Sequence, residues 1–354
     1  MKSEEDLVRR SEGESQFASA ISVGSSVVPS KGEGRGATIG FFDGVHLGHQ
    51  HLLSTLCRLA HERNLQSCVV TFSQHPRQVL CSNWTPTLLT TADEKLQLLK
   101  ATGVDRIEML TFTPEMAELS ARQFMEQVLR NQLGTCLLLT GYDNRFGHNR
   151  TETFDDYVAY GRELGIDVIA ATQFTIPHSQ SNIQNSQSAL PIIQHSELNI
   201  QNSPPASSLI RQLLSEGSVT DAAQLLGRYY SLTATVVDGF RVGRQLGFPT
   251  ANLCPLSAEK LIPAQGVYAV RVGIDGESPT LPAMMNIGNR PTFSGHELTL
   301  EVHLLNFSGQ LYGHELTVQF VQRLREERRF SSPEQLTEQL AKDAQQAARV
   351  AFIS

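Results

Sequence analysis

The sequence predicts an α/β domain followed by a small antiparallel β-barrel and a C-terminal helix. In the first half, short apolar runs alternate with helical patterns, which is typical of βαβ units on a parallel sheet. In the second half, short β-like segments are separated by Gly, Pro and Asn, the pattern of a closed or nearly closed barrel. A polar stretch at residues 175–206 lies between the halves and fits neither pattern.

The composition is that of a soluble globular protein with room for two domains. The chain has 354 residues, 40% of them hydrophobic and 18% charged, and its net charge is −7. Because an acidic chain has no overall basic field, we expect neither nucleic acid nor a membrane surface as a partner. The five cysteines form no CxxC pair, and no apolar run is long enough to span a membrane. The N-terminus lacks the apolar core of a signal peptide, so we expect a cytoplasmic protein.

The elements of the first half follow a polar leader, residues 1–36, which we expect to be disordered. The predicted strands are residues 37–39, 68–72 and 136–140, and the predicted helices are 47–63, 92–102, 120–133 and 153–164. Ligands of parallel α/β sheets bind beyond the carboxyl ends of the strands. The first such end carries the stretch GFFDGVHLGHQ.

The stretch at 175–206 contains the pentapeptide Asn-Ile-Gln-Asn-Ser twice, which predicts a low-complexity insertion that forms a mobile surface loop. A helical pattern follows at 207–226. The predicted barrel strands are residues 230–238, 266–274, 282–288, 297–305 and 315–321, and the last helix starts at Pro333.

The HxGH stretch combines two histidines with a tight turn. His46 and His49 are three residues apart, on one face of a helix's first turn. Gly40 and Gly44 allow the backbone to turn, and Asp43 can cap the helix. A helix N-terminus with two imidazoles can bind a triphosphate and stabilise charge on its α-phosphate, which favours nucleotidyl transfer. A zinc site, which would need a third ligand, and simple helix capping are the alternatives.

Two further segments of the first half suit phosphate binding. Gly141 and Asp143 belong to GYDNRFGHNR, directly after an apolar strand. Ser207, Ser208 and Arg211 open the helix after the insertion with two hydroxyls and a cation. An ordinary turn and a plain serine N-cap are the alternative interpretations.

The stretch GRQLGFPTANL in the second half resembles a nucleotide-binding loop in its chemistry. Gly243 and Gly247 allow close approach to phosphates, and Pro249 fixes the chain as it becomes extended. Thr250 and Asn252 then point to the same side, with oxygen atoms suited to Mg²⁺. A structural turn is the alternative.

Glu301 lies on the strictly alternating segment LTLEVHL, on the polar face. By pattern alone, this face is the solvent-exposed side of a half-buried strand. Near a magnesium-bound phosphate, its carboxylate could take a proton from an attacking alcohol.

Taken in order, these stretches resemble one family. GFFDGVHLGHQ, GYDNRFG, SSLIR, GRQLGFPTANL, GVYAV, NIGNRPTF, the Glu301 strand, LYG and LREERRF occur in the order of the bifunctional bacterial riboflavin kinase/FAD synthetases, over about residues 37–345. The resemblance implies a Rossmann-like HxGH nucleotidyltransferase domain at 37–226, insertion included, that adenylates FMN to FAD. It also implies a kinase barrel at 227–354 that phosphorylates riboflavin with ATP and Mg²⁺.

The resemblance also implies roles for the matching residues. His46 and His49 match the HxGH pair, while Ser207, Ser208 and Arg211 match a second phosphate-binding segment. In the kinase part, Thr250 and Asn252 match the metal and nucleotide segment, and Glu301 matches the proposed base for the ribityl hydroxyl. The other predicted nucleotide-binding residues are Gly40, Asp43, Gly44, Gly141, Asp143, Gly243, Gly247 and Pro249.

The departures from the family pattern fall in the first domain. Leu209 stands where the family usually has an arginine, Phe41 where asparagine is common, Asn144 where an aromatic residue is usual, and Glu152 where glycine is usual. Every kinase motif is intact. The alternative function is therefore a riboflavin kinase whose N-terminal adenylyltransferase domain is weakened or inactive.

Overall fold

A computed structural model describes residues 34–81, 83–141, 145–148, 150–175, 204–238, 247–292 and 295–352. The predicted leader up to residue 33 and residues 176–203 of the predicted insertion at 175–206 lie outside these ranges. The chain divides into two compact units. The first comprises residues up to 42, 49–86 and 92–173, and the second comprises 43–48, 87–91 and 174–354.

The first unit contains the predicted parallel sheet, with five strands in the order β3-β2-β1-β4-β5. The strands are β1 (Arg35–Ile39), β2 (Gln66–Phe72), β3 (Arg106–Leu110), β4 (Thr135–Thr140) and β5 (Asp167–Ala170). β1 lies in the middle of the sheet and pairs with β2 on one side and with β4 on the other. The strand order therefore reverses at β1. Such a reversal opens a crevice at the carboxyl end of the strand, where the HxGH stretch begins.

Two details of this sheet differ from the predictions. β1 begins at Arg35, so the last two residues of the predicted leader belong to the sheet. The edge strands β3 and β5 were not predicted.

The helices of the first unit match the four predicted helical patterns and add two short ones. They are α1 (Leu47–His61), α2 (Pro76–Leu80), α3 (Ala92–Lys100), α4 (Pro114–Ala117), α5 (Ala121–Phe124, continuing as π-helical turns to Gln132) and α6 (Phe154–Leu164). Local sequence fixes their ends. Thr153 and Asp156 form a capping box at the start of α6, and Gly165 ends that helix in the left-handed conformation at φ +69°.

The second unit contains a closed antiparallel barrel of six strands in the order β10-β7-β6-β11-β8-β9. The strands are β6 (Tyr230–Val237), β7 (Ala251–Pro255), β8 (Gly266–Ile274), β9 (Leu281–Thr292), β10 (Gly295–Leu304) and β11 (Glu315–Arg325). The five predicted strands are all present, and β7 was missed. Leu300, Val302 and Leu304 point into the barrel core, so Glu301 lies on its outer face, as the alternation predicted.

The described part of the second unit also contains the helices α7 (Ser207–Glu216), α8 (Val219–Leu226) and α9 (Pro333–Phe352). Ile210 and Leu225 join Leu232 and Phe320 in one buried cluster. The helices α7 and α8 therefore share the core of the barrel, although the predicted boundary at 226/227 grouped them with the nucleotidyltransferase domain. None of the described helices is long and apolar enough to cross a membrane.

Candidate active sites

The turn that leaves β1 has a strained backbone. Phe42 and Val45 adopt positive φ angles of 55° and 37°, and Gly44 lies at 80°. A bulky residue in this region costs about 1–2 kcal/mol, so surrounding contacts must hold it there. A Cβ atom at Gly44 would lie 2.8 Å from Cδ1 of Leu89, and one at Gly40 would lie 3.1 Å from the Phe42 ring. Gly44 is therefore required at this tight turn, while a side chain at Gly40 would need the Phe42 ring to shift.

Asp43 fixes the second half of this turn. Its carboxylate, only 3% exposed, accepts hydrogen bonds from the backbone N–H of Leu89 at 3.0 Å and of Thr90 at 3.1 Å. Oδ2 also accepts a 2.6 Å charged hydrogen bond from Nη2 of Arg211. In addition, the N–H of Gly44 donates to the Thr90 hydroxyl at 3.0 Å. These contacts give Asp43 a long-range role in place of the predicted helix cap.

The start of α7 meets the same turn. The Ser207 hydroxyl donates to the carbonyl of Asp43 at 2.9 Å, and Nε of Arg211 donates to the carbonyl of Thr87 at 2.8 Å. Ser207 is the first helical residue and Ala206 precedes it as a cap without a side-chain hydrogen bond, so the serine N-cap alternative is wrong. Ser208 is exposed beside them. The structure thus brings Asp43, Ser207 and Arg211 together.

His46 is buried in the second unit beside a cation. The residue is 5% exposed, and burial together with the positive charge of Arg228 lowers its pKa from 6.5 to about 4. The Nη2 of Arg228 donates to the carbonyl of Gly44 at 2.7 Å. A Cβ atom at Gly48 would lie 3.2 Å from the His46 ring, which explains the glycine of HxGH. At neutral pH the imidazole is uncharged and can donate one hydrogen bond.

The remaining predicted residues of the first half lie in the first unit or outside the described residues. His49 is the third residue of α1, and its ring packs edge-on against Phe42 with centroids 5.1 Å apart. Gly141 directly follows β4 at its carboxyl end. Asp143, and Gly243 of the kinase loop, lie outside the described residues.

A second site lies on the outer face of the barrel. β7 and β10 pair with Asn252 opposite Glu301, and β10 and β9 pair with Glu301 opposite Asn286. Residues directly opposite each other on paired strands project to the same face, so these three side chains form a polar row. The Thr250 hydroxyl donates to Oε2 of Glu301 at 3.1 Å. The structure therefore brings Thr250, Asn252 and Glu301 together and adds Asn286, which opens the NIGNRPTF stretch and was not predicted.

The loop before β7 is held by His303, which lies two residues beyond Glu301 on the same face. Nδ1 of His303 contacts the carbonyl of Pro249 at 2.7 Å, and its ring meets Phe248 edge-on at 5.4 Å. Gly247 has φ +81°, and a Cβ atom there would meet no described atom within 4 Å, so this glycine serves the backbone conformation alone. Alternation placed His303 on this face, but its contact was not foreseeable.

The oxygens at this row fit a magnesium ion that arrives with a nucleotide. A hydroxyl, an amide and a carboxylate are the hard donors that Mg²⁺ prefers, and a site with few protein ligands suits an ion that keeps phosphate and water ligands. Among the residues that the structure describes, no group of three His, Cys, Asp or Glu side chains is arranged to hold a metal. The fit therefore depends on phosphate oxygens completing the coordination.

Comparison with known proteins identifies both halves. Residues 29–186 match the FAD synthetase family model, and residues 226–351 match the riboflavin kinase model. The bifunctional riboflavin kinase/FMN adenylyltransferase of Pseudomonas fluorescens is 37% identical over 316 residues, 89% of this chain and 92% of the relative. The chain belongs to this bifunctional family. The Escherichia coli K12 member is 36% identical over 311 residues, 88% of this chain and 91% of its own.

A solved structure with a similar fold covers most of the chain. It is described as a macrolide-efflux protein from Streptococcus pneumoniae, and it matches with a TM-score of 0.74 and 28% identity over 89% of this chain and 94% of its own. Together, the family models and the relatives confirm the predicted fold class and the predicted bifunctional flavin enzyme, with riboflavin kinase and FMN adenylyltransferase activities.

The environment of His46 predicts a pH-dependent stability. Between pH 6.5 and 4 the unfolded chain binds a proton at His46 that the folded chain does not, so this group's contribution to stability falls as the pH falls. With a pKa lowered from 6.5 to about 4, the loss by pH 4 is about 3 kcal/mol. Urea unfolding of the wild type and of His46→Gln at pH 7 and pH 4 measures this loss of unfolding free energy. The variant should lose about 3 kcal/mol less than wild type between these two pH values, and equal losses in the two proteins would contradict the assignment.

Proposed function

We propose that Glu301 is the general base of the riboflavin kinase reaction on the outer face of the barrel. The observation that carries this proposal is the hydrogen bond from Thr250 to Glu301 within the row Asn252–Glu301–Asn286. The bond orients the carboxylate, and the partly exposed row leaves room for a substrate. The ribityl hydroxyl transfers its proton to Glu301 while its oxygen attacks the γ-phosphorus of ATP. The bond from that phosphorus to the β-phosphate oxygen breaks, giving FMN and ADP.

Thr250 and Asn252 are proposed to hold Mg²⁺ through their side-chain oxygens. When bound, the ion would neutralise charge on the transferring phosphates. The chain's own contribution is to orient these oxygens. Asn252 is fixed by the β7–β10 ladder, and Thr250 lies at the end of the loop that His303 holds through Pro249.

We further propose that His46, Ser207 and Arg211 bind the phosphates of ATP during adenylation of FMN, with His49 as the second imidazole of the motif. A phosphate oxygen of FMN attacks the α-phosphorus of ATP, and pyrophosphate leaves. No proton needs to be removed from a phosphate dianion, so the residues act by binding and charge stabilisation. Arg211 supplies charge in a fixed orientation because Asp43 and the Thr87 carbonyl hold its guanidinium. Neutral His46 can donate one hydrogen bond without repelling the Arg228 cation beside it.

The alternative, a kinase with a weakened first domain, finds little support in the altered SSLIR segment. Leu209 packs against the hydrophobic cluster of the second unit. An arginine at this position would pack there less favourably, so the leucine has a structural reason. Ser207 and Arg211 keep their contacts to Asp43. A chromatographic assay with riboflavin, ATP and Mg²⁺ separates the two functions. FMN followed by FAD supports both sites, and FMN alone supports the alternative.

Replacing Glu301 by Gln should abolish riboflavin phosphorylation and leave adenylation of supplied FMN unchanged. The amide keeps the size of the side chain and can still accept from Thr250, but it cannot take a proton. We expect a loss of at least about 10²-fold in kcat for FMN formation. The two reactions are measured separately on one preparation, so FAD formation serves as the folding control. A Gln variant that still phosphorylates at the wild-type rate would exclude Glu301 as the base.

The reverse result is expected for His49→Ala. Loss of one imidazole from the motif should lower adenylation by about 10²-fold, because a donor to the developing charge is removed. Phosphorylation of riboflavin should stay within about twofold of wild type. Loss of both reactions in a folded variant would count against two independent sites.

The magnesium proposal predicts a shifted metal dependence for Asn252→Ala. Loss of one oxygen ligand should raise the Mg²⁺ concentration for half-maximal phosphorylation about tenfold, and excess Mg²⁺ should restore most of the rate. Adenylation by the same variant, titrated in parallel, should keep its wild-type dependence. An unchanged Mg²⁺ dependence of phosphorylation would argue against Asn252 as a ligand.

A further inference from the structure

Lys95, on helix α3, is a buried cation at the carboxyl end of the parallel sheet. The residue is only 2% exposed. Its Nζ donates to the carbonyl of Phe72 at 2.6 Å and to that of Phe41 at 3.2 Å. The ammonium also lies 4.0 Å from the centroid of the Phe41 ring, in cation–π geometry. All of these groups belong to the first unit.

A lysine in this position needs a physical reason. Lysine is almost never fully buried, because removing its charge from water carries a large desolvation penalty that its contacts must offset. A methionine has a similar length and would fill the space without that cost. What the lysine adds is a pair of charged hydrogen bonds to the ends of two neighbouring strands.

The two carbonyls are at sensitive points of the backbone. Phe72 is the last residue of β2. Phe41 immediately precedes Phe42, whose φ of 55° is the first strained angle of the turn after β1. The Thr71 hydroxyl donates to the same Phe41 carbonyl at 3.2 Å. Two donors thus fix the peptide plane between Phe41 and Phe42, and this is the kind of constraint that a strained conformation requires to persist.

We propose that Lys95 is a positioning residue for FMN adenylation. It holds the turn that runs from β1 into the Asp43–His46 segment, without touching a substrate itself because it is buried. This inference rests on the proposed phosphate-binding role of that segment. Phosphorylation of riboflavin on the barrel uses none of these contacts.

The test is Lys95→Met in the full-length chain, with both reactions measured on one preparation. We expect kcat/KM for ATP in adenylation, at saturating FMN, to fall about ten- to a hundredfold, with a higher KM for ATP contributing to the fall. Riboflavin phosphorylation should stay within about twofold of wild type. Lys100→Met is the matched control, because it makes the same change at an exposed position of the same helix, and it should alter neither reaction.

Two further variants separate positioning from simple stability. Lys95→Arg keeps the charge and the donors, so it should retain more adenylation than Lys95→Met. Thr71→Val removes only the second donor to Phe41 and should raise the KM for ATP by a smaller factor. If Lys95→Met leaves KM unchanged and lowers both activities together with thermal stability, the role is structural and the proposal is overturned. Unchanged kinetics would also overturn it. A wild-type chain that forms no FAD would instead refute the proposed adenylation site.

Discussion

The turn after β1 depends on the contacts that the buried carboxylate of Asp43 makes. The carboxylate gathers residues far apart in the sequence, because Leu89 and Thr90 donate to it from one segment and Arg211 from another. A carboxylate that is 3% exposed would be costly without partners, and here the partners are backbone N–H groups and a guanidinium. The same contacts give Arg211 a fixed direction. Stability of the turn and orientation of the proposed phosphate-binding cation therefore have one cause.

The two candidate sites differ in the interactions that fix their side chains. On the barrel, strand register alone places Asn252, Glu301 and Asn286 side by side, and one hydrogen bond from Thr250 orients the carboxylate. At the turn after β1, the backbone is strained, and tertiary hydrogen bonds hold Ser207 and Arg211, two of the proposed phosphate-binding residues. Preorganised groups stabilise charge without reorganising during the reaction, and the ladder and the tethered turn are two ways of achieving this.

The sequence was sufficient wherever periodicity or a local rule decides the structure. It predicted four of the helices in the first unit, five barrel strands and the outward direction of Glu301 from alternation alone. It missed β7, because ANLCP is short and ends in proline, and it missed β3 and β5, which are four or five residues long at the sheet edges. The periodic pattern of an amphipathic helix indicates that one face is buried, but it does not indicate against which core that face packs. This is why the sequence alone did not show that α7 and α8 pack against the barrel core.

For the site residues too, the sequence predicted what depends on local motifs and missed what depends on tertiary contacts. Motifs singled out His46, Ser207, Arg211 and Glu301 as candidates, but the helix-cap rule is local and gave Asp43 a local role. Its actual partners at Leu89 and Thr90 carry no side-chain signature, because they bind through their backbone. The lowered pKa of His46 depends on burial and on Arg228, neither of which spacing can reveal.

Leu89 lies between two buried charged side chains, Asp43 and Lys260, and its contacts to both help to fix the backbone that binds Asp43. The N–H of Leu89 donates to Asp43, while its carbonyl accepts from the ammonium of Lys260 at 2.8 Å, and Lys260 in turn lies 4.9 Å from the Tyr230 ring centroid. The peptide groups flanking Leu89 thus point their dipoles from a cation toward an anion. In a low-dielectric interior such hydrogen bonds strengthen one another. The segment at residues 87–91 is also tied down by a parallel bridge between Leu88 and Lys260, with backbone hydrogen bonds on both sides of Leu88. The alignment at Leu89 adds to this rigidity, and the same segment holds Arg211 through the Thr87 carbonyl.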